Sequence, residues 1–229
     1  NKQKKQFFEI NGNPSFIYPL QALQESKYIN EIILVINQDD RNEILSILDK
    51  YDFSKVTAFT KGGKTRQESV FNALIYISEN YVKCDYVFIH DAARVLLTKQ
   101  VIHDLLKEAK NKKFVVCATQ ENDSIVKVEN DNITEYLPRR DIYRILTPQC
   151  FDFEKLFEIH KKAKTENFQC QNDDASILLN YGVQPYFLVA DSSLIKLTYS
   201  KDVHIIEKLI EGGILDYDYK NLKIKKKKR

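Results

Sequence analysis

The chain has 229 residues, of which 43% are hydrophobic and 29% are charged, and its formal net charge at neutral pH is +3. This composition is ordinary for a water-soluble globular protein, and no apolar run approaches the roughly 18 to 20 residues that a membrane-spanning helix needs. The last seven residues, 223–229, hold six basic side chains. They more than account for the net charge, so we expect a basic tail but no basic face for nucleic acid on the body of the protein.

The four cysteines are widely spaced, and none forms a Cys-x-x-Cys pair. Cysteines that bind zinc or carry out redox chemistry usually occur in such pairs. The sequence also shows no stretch that resembles a secretory signal. We therefore expect free thiols and a cytoplasmic protein.

Taken in chain order, the apolar residues predict alternating strands and helices over the first half of the sequence. Strands are predicted at 31–36, 56–59, 85–89 and 114–118, and helices at 39–50, 67–79 and 98–110. This alternation is typical of an α/β domain with a mostly parallel sheet and helices on both faces. Such a fold does not by itself indicate a function.

From Asp123 onward the pattern changes to two short strands, 124–128 and 133–137, around the turn residues 129–132. A two-stranded ribbon has little core of its own and is marginally stable in water. We therefore expect this β-arm, about residues 121–143, to protrude and pack on a second copy of the chain. The predicted elements after the arm are a strand at 142–147, helices at 152–164 and 174–181, a strand at 184–189, a short strand at 194–198 and a helix at 201–211.

The predicted strand 85–89 ends at His90-Asp-Ala-Ala-Arg94. In open α/β sheets, ligands bind beyond the carboxyl ends of the strands, which makes Asp91 and Arg94 candidates for a binding site. The alanines Ala92 and Ala93 leave room for a ligand. Taken alone, this stretch fits a capping aspartate beside a solvated arginine equally well.

Two further segments carry groups suited to an anion. The glycines Gly62 and Gly63 let the backbone approach a ligand closely, and Arg66 and Ser69 supply donors at a helix start. A Gly-Gly pair is also common in a plain strand-to-helix turn. In the apolar run 194–197, Lys196 is costly to bury unless it meets an anion, and phosphate is the simplest such anion.

Seven segments, taken in order, resemble motifs of the 2-C-methyl-D-erythritol 4-phosphate cytidylyltransferases of the non-mevalonate isoprenoid pathway. The segments are Lys4-Lys-Gln-Phe7, Gly62-Gly-x-x-Arg-x-x-Ser-Val70, His90-Asp-Ala-Ala-Arg94, Asn122-Asp-Ser-Ile125, Leu146-Thr-Pro-Gln149, Asp173-Asp-Ala-Ser176 and Ile195-Lys-x-Thr198. They cover residues 4 to about 210. The resemblance implies a single Rossmann-like nucleotidyltransferase domain over residues 1–229, with the dimerisation arm and the basic tail 223–229 as its appendages.

The resemblance also implies an enzyme that transfers CMP from CTP to 2-C-methyl-D-erythritol 4-phosphate and releases pyrophosphate. In that enzyme Lys5 and Lys196 would be catalytic and would neutralise charge on the α-phosphate, and Asp91 would hold Mg²⁺. The implied nucleotide-binding residues are Gly62, Gly63, Arg66, Ser69, Asp91 and Ala92. The implied substrate-binding residues are Asp91, Arg94, Ser124, Arg139, Thr147, Asn172, Lys196 and Thr198.

The family pattern implies a homodimer in which Ser124, Arg139 and Thr147 reach the substrate from the other subunit. For Arg139, a solvated charge beside Arg140 is the simpler alternative. The partners implied are thus CTP, a sugar-alcohol phosphate and a second copy of the chain.

The sequence departs from the family pattern at several places. The family's Ala-Ala-Gly-x-Gly-x-Arg loop, which wraps the triphosphate and supplies an arginine, does not occur in the 229 residues, and we expect it upstream of Asn1. The usual proline, proline, asparagine and threonine are replaced by Lys4, Val95, Leu194 and Asn172. Two other functions stay open: a ribitol 5-phosphate cytidylyltransferase, which shares the fold and most motifs, and a nucleotide-binding module without catalysis if the loop is truly absent.

Overall fold

The computed structural model describes residues 4–170 and 172–219, so the predicted basic tail 223–229 lies outside the described residues. The α-helices in this part of the chain are α1 (Ile17–Glu25), α2 (Arg41–Leu48), α3 (Arg66–Asn80), α4 (Lys99–Lys112), α5 (Phe153–Thr165), α6 (Asp174–Asn180) and α7 (Asp202–Glu211). The strands are β1 (Glu9–Ile10), β2 (Asn13–Pro14), β3 (Ile32–Ile36), β4 (Val56–Lys61), β5 (Tyr86–Ile89), β6 (Phe114–Gln120), β7 (Ile125–Glu129), β8 (Asn132–Leu137), β9 (Tyr143–Asp152) and β10 (Tyr186–Val189). None of the helices in these residues has the length and apolarity that a membrane crossing requires.

The α/β class is confirmed, and the sheet that was predicted to be mostly parallel is mixed, with β9 as its antiparallel strand. The main sheet has the order β10-β6-β9-β5, in which β10 and β6 are parallel while β9 runs antiparallel to both of its neighbours. A separate parallel pair is formed by β3 and β4. The reason lies in the connection: β6 and β9 are joined through the β7–β8 hairpin and not through a crossover helix, and a chain that returns this way pairs in the antiparallel sense.

Helices cover both faces of the main sheet, as predicted. Successive side chains of a strand point to opposite faces. In β6, Val116 packs in a cluster with residues of α3, α5 and α6, whereas Val115 and Cys117 pack in a cluster with Leu105 and Ala109 of α4. Strand β6 is therefore buried on both of its faces, and polar groups can gather at the strand ends.

Short polar side chains fix the starts of three helices. Thr65 accepts a hydrogen bond from Glu68 N (3.1 Å) at the start of α3, and Thr98 accepts one from Val101 N (3.2 Å) at the start of α4. Asp173 accepts one from Ser176 N (3.0 Å) in the capping box that begins α6. Such caps hold otherwise unpaired backbone N–H groups and set where a helix begins.

Two segments differ from the sequence expectations. Residues 17–25 form α1, which the sequence analysis did not predict, with Pro19 in the first turn, where proline is tolerated. Residues 194–198 are not a strand. Leu194 and Leu197 are buried instead as part of an irregular segment, and Leu197 N donates a hydrogen bond to Ala93 O (2.8 Å). This contact ties the segment to the turn that follows β5.

The predicted hairpin at 124–137 is confirmed. Asn130 and Asp131 have φ angles of 49° and 63°, the left-handed pair that a two-residue hairpin turn requires. The apolar side chains Val128, Ile133 and Tyr136 are 56%, 57% and 69% exposed. Contact of this arm with a second subunit stays a prediction.

Candidate active site

A cleft of about 770 Å³ lies at the ends of several elements of the fold. Its polar lining residues are Arg66 at the start of α3, Asp91 and Arg94 after β5, Thr147 and Gln149 in β9, Asn172, Asp173 and Ser176 around the start of α6, Gln184 before β10, and Lys196 after β10. Asp91 and Arg94, the two candidates beyond the carboxyl end of β5, both line this cleft.

Asp91 is one of the two carboxylates that line the cleft. Its Oδ2 atom lies 2.6 Å from Lys196 Nζ, and its Oδ1 atom lies 3.5 Å from Arg66 Nε. Its backbone N–H donates to the Thr147 hydroxyl (3.1 Å). Burial raises the pKa of Asp91, but the hydrogen bond and charge of Lys196 and the charge of Arg66 outweigh it, so the net pKa is lowered. Asp91 is therefore ionised at neutral pH.

Arg66 links Asp91 to a second, fully buried carboxylate. Its Nη1 atom lies 2.6 Å from Oδ2 of Asp174, and Oδ1 of Asp174 lies 3.1 Å from His160 Nε2. Burial lowers the pKa of Arg66, but the charges of Asp174 and Asp91 more than compensate and raise it overall. The guanidinium thus stays positive between two carboxylates.

The turn after β5 is closed by its own hydrogen bonds. Arg94 N donates to Asp91 O (2.9 Å), and His90 Nε2 lies 3.0 Å from Arg94 O. Burial lowers the pKa of His90 to about 4, so its ring is neutral at neutral pH. Arg94 Nη1 donates to Leu194 O (2.7 Å), which anchors the guanidinium group at the wall of the cleft.

The glycine loop between β4 and α3 is held by backbone contacts. Gly62 N donates to Ile36 O (2.8 Å), and Gly63 N donates to the Ser69 hydroxyl (3.0 Å). A Cβ atom on Gly63 would lie 2.4 Å from Glu68 Cγ. Glycine is therefore required at position 63 for the loop to fold back on the start of α3.

Six of the predicted site residues line one cleft in the structure. They are Arg66, Asp91, Arg94, Thr147, Asn172 and Lys196. Eight other predicted residues do not line it: Lys5, Gly62, Gly63, Ser69, Ala92, Ser124, Arg139 and Thr198. The cleft therefore joins residues that are spread over more than half of the chain.

Lys5 does not line the cleft. It is the first residue of a 3₁₀ turn, Lys5–Phe7. Asp202 accepts hydrogen bonds from Thr198 N and Tyr199 N (both 2.8 Å). The pKa of Asp202 is lowered chiefly by the Tyr199 N–H, and the charge of Lys5 acts in the same direction. Lys5 is thus close to the start of α7 and to the segment that carries Lys196.

The arm residues Ser124 and Arg139 are exposed within one chain. Arg139 Nη1 donates to Asn122 O (3.1 Å) at the base of the arm. A role of Ser124 and Arg139 in another subunit's cleft stays a prediction.

Two residues that the sequence analysis gave no role help to shape the cleft. Gln149 is completely buried, and its Nε2 donates to Asp173 Oδ2 (2.8 Å). His160 reaches the cleft only through Asp174 and Arg66. The sequence showed Gln149 and Asp173 as members of motifs, but it held no signal that they are partners.

Asp91 is suited to a magnesium ion that is held mainly by the phosphate oxygens of a bound nucleotide. No group of three or more His, Cys, Asp or Glu residues in the described ranges is arranged to hold a metal by itself. Mg²⁺ is usually bound by one or two carboxylates together with phosphate oxygens and water. An ionised Asp91 at the wall of a cleft supplies the one carboxylate that this arrangement needs.

Comparisons with known proteins agree with these observations. The profile of the 2-C-methyl-D-erythritol 4-phosphate cytidylyltransferase family matches residues 1–212. The enzyme of that name from Clostridium novyi is 33% identical over 210 residues, which are 91% of this chain and 89% of the relative. The one from Bacillus cytotoxicus is 34% identical over 208 residues, covering 91% of this chain and 90% of the relative.

Solved structures show the same likeness in three dimensions. The crystal structure of 4-diphosphocytidyl-2C-methyl-D-erythritol synthase from Anaerococcus prevotii superposes with a TM-score of 0.80 at 25% identity, covering 91% of this chain and 90% of that one. The 2-C-methyl-D-erythritol 4-phosphate cytidylyltransferase from Francisella tularensis superposes with a TM-score of 0.77 at 25% identity, covering 90% of this chain and 93% of that one.

Proposed function

The chain belongs to the 2-C-methyl-D-erythritol 4-phosphate cytidylyltransferase family and is a CTP-dependent nucleotidyltransferase of isoprenoid biosynthesis; we propose that the cleft around Asp91 is where it transfers CMP to 2-C-methyl-D-erythritol 4-phosphate. One observation carries this assignment of the site. Lys196, Asp91 and Arg66 form a continuous chain of ion pairs along a cleft that also holds Arg94 and Thr147.

The charges of the cleft suit a reaction between two phosphates. An oxygen of the acceptor phosphate forms a bond to the α-phosphorus of CTP, and the bond to the departing pyrophosphate breaks. In such transfers the protein acts mainly by positioning the groups and neutralising their charge. Lys196 is 45% exposed at its side chain, so its ammonium group is accessible to a phosphate, and Arg94 offers a second cation. Lys5, as implied by the family pattern, would add further positive charge.

We assign Asp91 to Mg²⁺, which when bound neutralises part of the triphosphate charge. Lys196 lies on one oxygen of Asp91. If Asp91 held Mg²⁺, Lys196 would be available to the phosphates. Support for this assignment comes from the ionised state of Asp91 and from the preference of Mg²⁺ for carboxylate and phosphate oxygens.

The glycine loop is proposed to bind the cytosine. Ser69 Oγ donates to Thr65 O (2.9 Å) and accepts from Gly63 N (3.0 Å). A hydroxyl group has one hydrogen to donate and two lone pairs that accept, so Ser69 keeps one lone pair. Cytosine presents an amino donor where uracil presents a carbonyl acceptor, and a lone pair suits the amino group. Ala92 leaves room beside the nucleotide, and Arg66 supports the loop.

The acceptor side is proposed to use Arg94, Thr147, Asn172 and Thr198 together with Ser124 and Arg139 of a second subunit. Thr147 was expected from the second subunit, but its hydroxyl accepts a hydrogen bond from Asp91 N of its own chain (3.1 Å), so it belongs to the same chain's cleft. The support for a homodimer is the exposed apolar surface of the arm at Val128, Ile133 and Tyr136, since a ribbon of this kind is marginally stable without a partner surface.

The four cysteines are free, which is in keeping with our expectation of a cytoplasmic enzyme.

A direct assay tests the proposal. CTP is offered with 2-C-methyl-D-erythritol 4-phosphate or with ribitol 5-phosphate, and pyrophosphate release is measured for each. We expect release with the first acceptor and little with the second, since the comparisons do not favour the ribitol enzyme. Equal or better turnover of ribitol 5-phosphate contradicts the proposal. Binding of CTP without release from either acceptor would identify a module without catalysis.

A further inference from the structure

His160 is a buried histidine that does not line the cleft. It lies in α5, is only 1% exposed at its side chain, and places its ring 6.1 Å from that of Phe71, with 10° between the ring planes. Its Nε2 atom lies 3.1 Å from Oδ1 of Asp174. A carboxylate oxygen can only accept a hydrogen bond, so His160 donates to Asp174.

Asp174 uses each of its oxygens for a different partner. Oδ1 accepts from His160, and Oδ2 lies 2.6 Å from Arg66 Nη1. A fully buried carboxylate is stable only when it is paired and hydrogen-bonded. With one donor on each oxygen, the carboxylate group is held against rotation about its Cβ–Cγ bond, and the direction in which Oδ2 faces Arg66 is set by His160.

Arg66 repeats this arrangement one step nearer to the cleft. Its Nη1 atom contacts Asp174, and its Nε atom lies 3.5 Å from Oδ1 of Asp91, whose Oδ2 is taken by Lys196. The guanidinium group is rigid and planar, so the orientation imposed at Nη1 also fixes the position of Nε. An alternating chain of donors and carboxylates thus runs from the core to the cleft.

We infer that His160 is a positioning residue for cytidylyl transfer: its N–H orients Asp174, Asp174 orients Arg66, and Arg66 fixes the carboxylate of Asp91 in the cleft. This inference rests on the proposed function, because it takes the Asp91 cleft as the place of the reaction. His160 itself touches neither substrate nor metal. Its contribution depends on one hydrogen bond and not on filling space in the core.

The matched pair His160→Gln and His160→Leu separates these two roles. The amide nitrogen of glutamine reaches the place of the histidine Nε2 and keeps a donor, whereas leucine fills similar space without one. Loss of a residue that orients a metal-binding side chain through hydrogen bonds typically costs about 10- to 100-fold in activity. We expect His160→Leu to lower kcat by roughly that factor with little change in the KM for CTP. His160→Gln should stay within about threefold of the wild type.

Phe71→Leu is the control for packing, because it removes the ring that stacks on His160 and leaves the contact with Asp174 intact. We expect it to lower the melting temperature without the fall in kcat. If Phe71→Leu lowers kcat as much as His160→Leu, or if both His160 variants are equally impaired, the donor is irrelevant and the inference is wrong.

A double substitution tests the path through Arg66. If His160 acts through Arg66, adding His160→Leu to Arg66→Gln should change kcat by less than about twofold, because the link is already broken. If the fold reductions in kcat of the two single variants multiply in the double variant, His160 acts independently of Arg66 and the inference is wrong.

Crystal structures of the two His160 variants decide the matter without turnover, so this test holds even if the wild type releases no pyrophosphate and the proposed function fails. In His160→Leu we expect Arg66 Nε to move away from Asp91, and in His160→Gln we expect it to stay. An unmoved Arg66 in His160→Leu contradicts the inference.

Discussion

Lys196 Nζ lies 2.6 Å from Asp91 Oδ2, although 105 positions separate the two residues in the chain. Asp91 follows β5 and Lys196 follows β10, which are the two outer strands of the main sheet. Because β10 runs parallel to β6, and both β6 and β5 run antiparallel to β9, the carboxyl ends of β5 and β10 lie at the same end of the sheet. The ion pair therefore joins the two segments that follow the outer strands.

Replacing Lys196 by alanine should lower kcat by about 100- to 1,000-fold, since removal of a donor that meets charge in the transition state typically costs about 3 to 4 kcal/mol. Steady-state rates of pyrophosphate release measure this. Lys208→Ala is the control, because Lys208 is 78% exposed and forms a surface ion pair with Glu211. Its activity should stay within about twofold of the wild type. A change confined to KM would make Lys196 a ground-state binding residue.

We predict that the enzyme prefers CTP over UTP by at least about 100-fold in kcat/KM, because a site built on hydrogen bonds discriminates well between a donor and an acceptor. Ser69→Ala should reduce this ratio by about tenfold, as expected for one lost hydrogen bond. Ser78→Ala is the matched control in the same helix, since its hydroxyl donates to Ile75 O (2.8 Å) and lies away from the loop. Equal turnover of UTP by the wild type would contradict the assignment.

Asp174→Asn should lower the free energy of unfolding by about 3 to 5 kcal/mol at pH 7, because it leaves Arg66 and His160 around a buried neutral group. Burial raises the pKa of Asp174, but the His160 hydrogen bond and the Arg66 charge outweigh burial. The net pKa of Asp174 therefore lies below its usual value of 3.8. A carboxyl with a lowered pKa stabilises the fold above its unfolded pKa, and this stabilisation is lost as the pH falls through the lowered value.

Urea unfolding at several pH values measures the effect. The difference between wild type and Asp174→Asn should be constant from about pH 7 to 5 and shrink below about pH 4. Asp85→Asn removes an exposed ion pair with Lys83 and should cost less than about 1 kcal/mol. A difference that grows on acidification would mean that Asp174 is protonated in the native protein.

Asp91→Asn should raise the Mg²⁺ concentration that gives half-maximal activity, and EDTA should abolish pyrophosphate release, because the lost carboxylate is the metal ligand that we assign to the cleft. Asp173→Asn is the control. Asp173 also lines the cleft but caps α6, and asparagine caps a helix equally well. If the two variants show the same Mg²⁺ dependence as the wild type, Asp91 does not hold the metal.

The arm proposal predicts that two inactive variants complement each other. If Arg139 acts in the cleft of the other subunit, mixing Asp91→Ala with Arg139→Ala under subunit exchange restores roughly a quarter of wild-type activity, since half of the dimers are mixed and each mixed dimer has one intact site. Mixing Asp91→Ala with Lys196→Ala should restore no activity. Both residues of a site come from one chain, so each site of a mixed dimer lacks one of them. Mixed dimers without recovered activity would dispose of the shared site.

Much of the local structure was predictable from the sequence. The strand β5 and the helices α3, α4 and α5 lie within one or two residues of their predicted bounds, because they depend on local periodicity and on caps such as Thr65. The hairpin turn at Asn130 and Asp131 followed from residues that tolerate positive φ. The motifs also identified six residues that the structure brings into one cleft.

The tertiary structure alone decided how these parts are paired. The antiparallel course of β9, the irregular path of 194–198 and the burial of Asp174 between Arg66 and His160 all depend on which strands and helices become neighbours. Spacing along the chain carries information about nearby residues, whereas these contacts join residues up to 108 positions apart. Charged groups such as Asp174 are costly to bury unless they meet complementary partners, and those partners come together only once the sheet and its covering helices are packed.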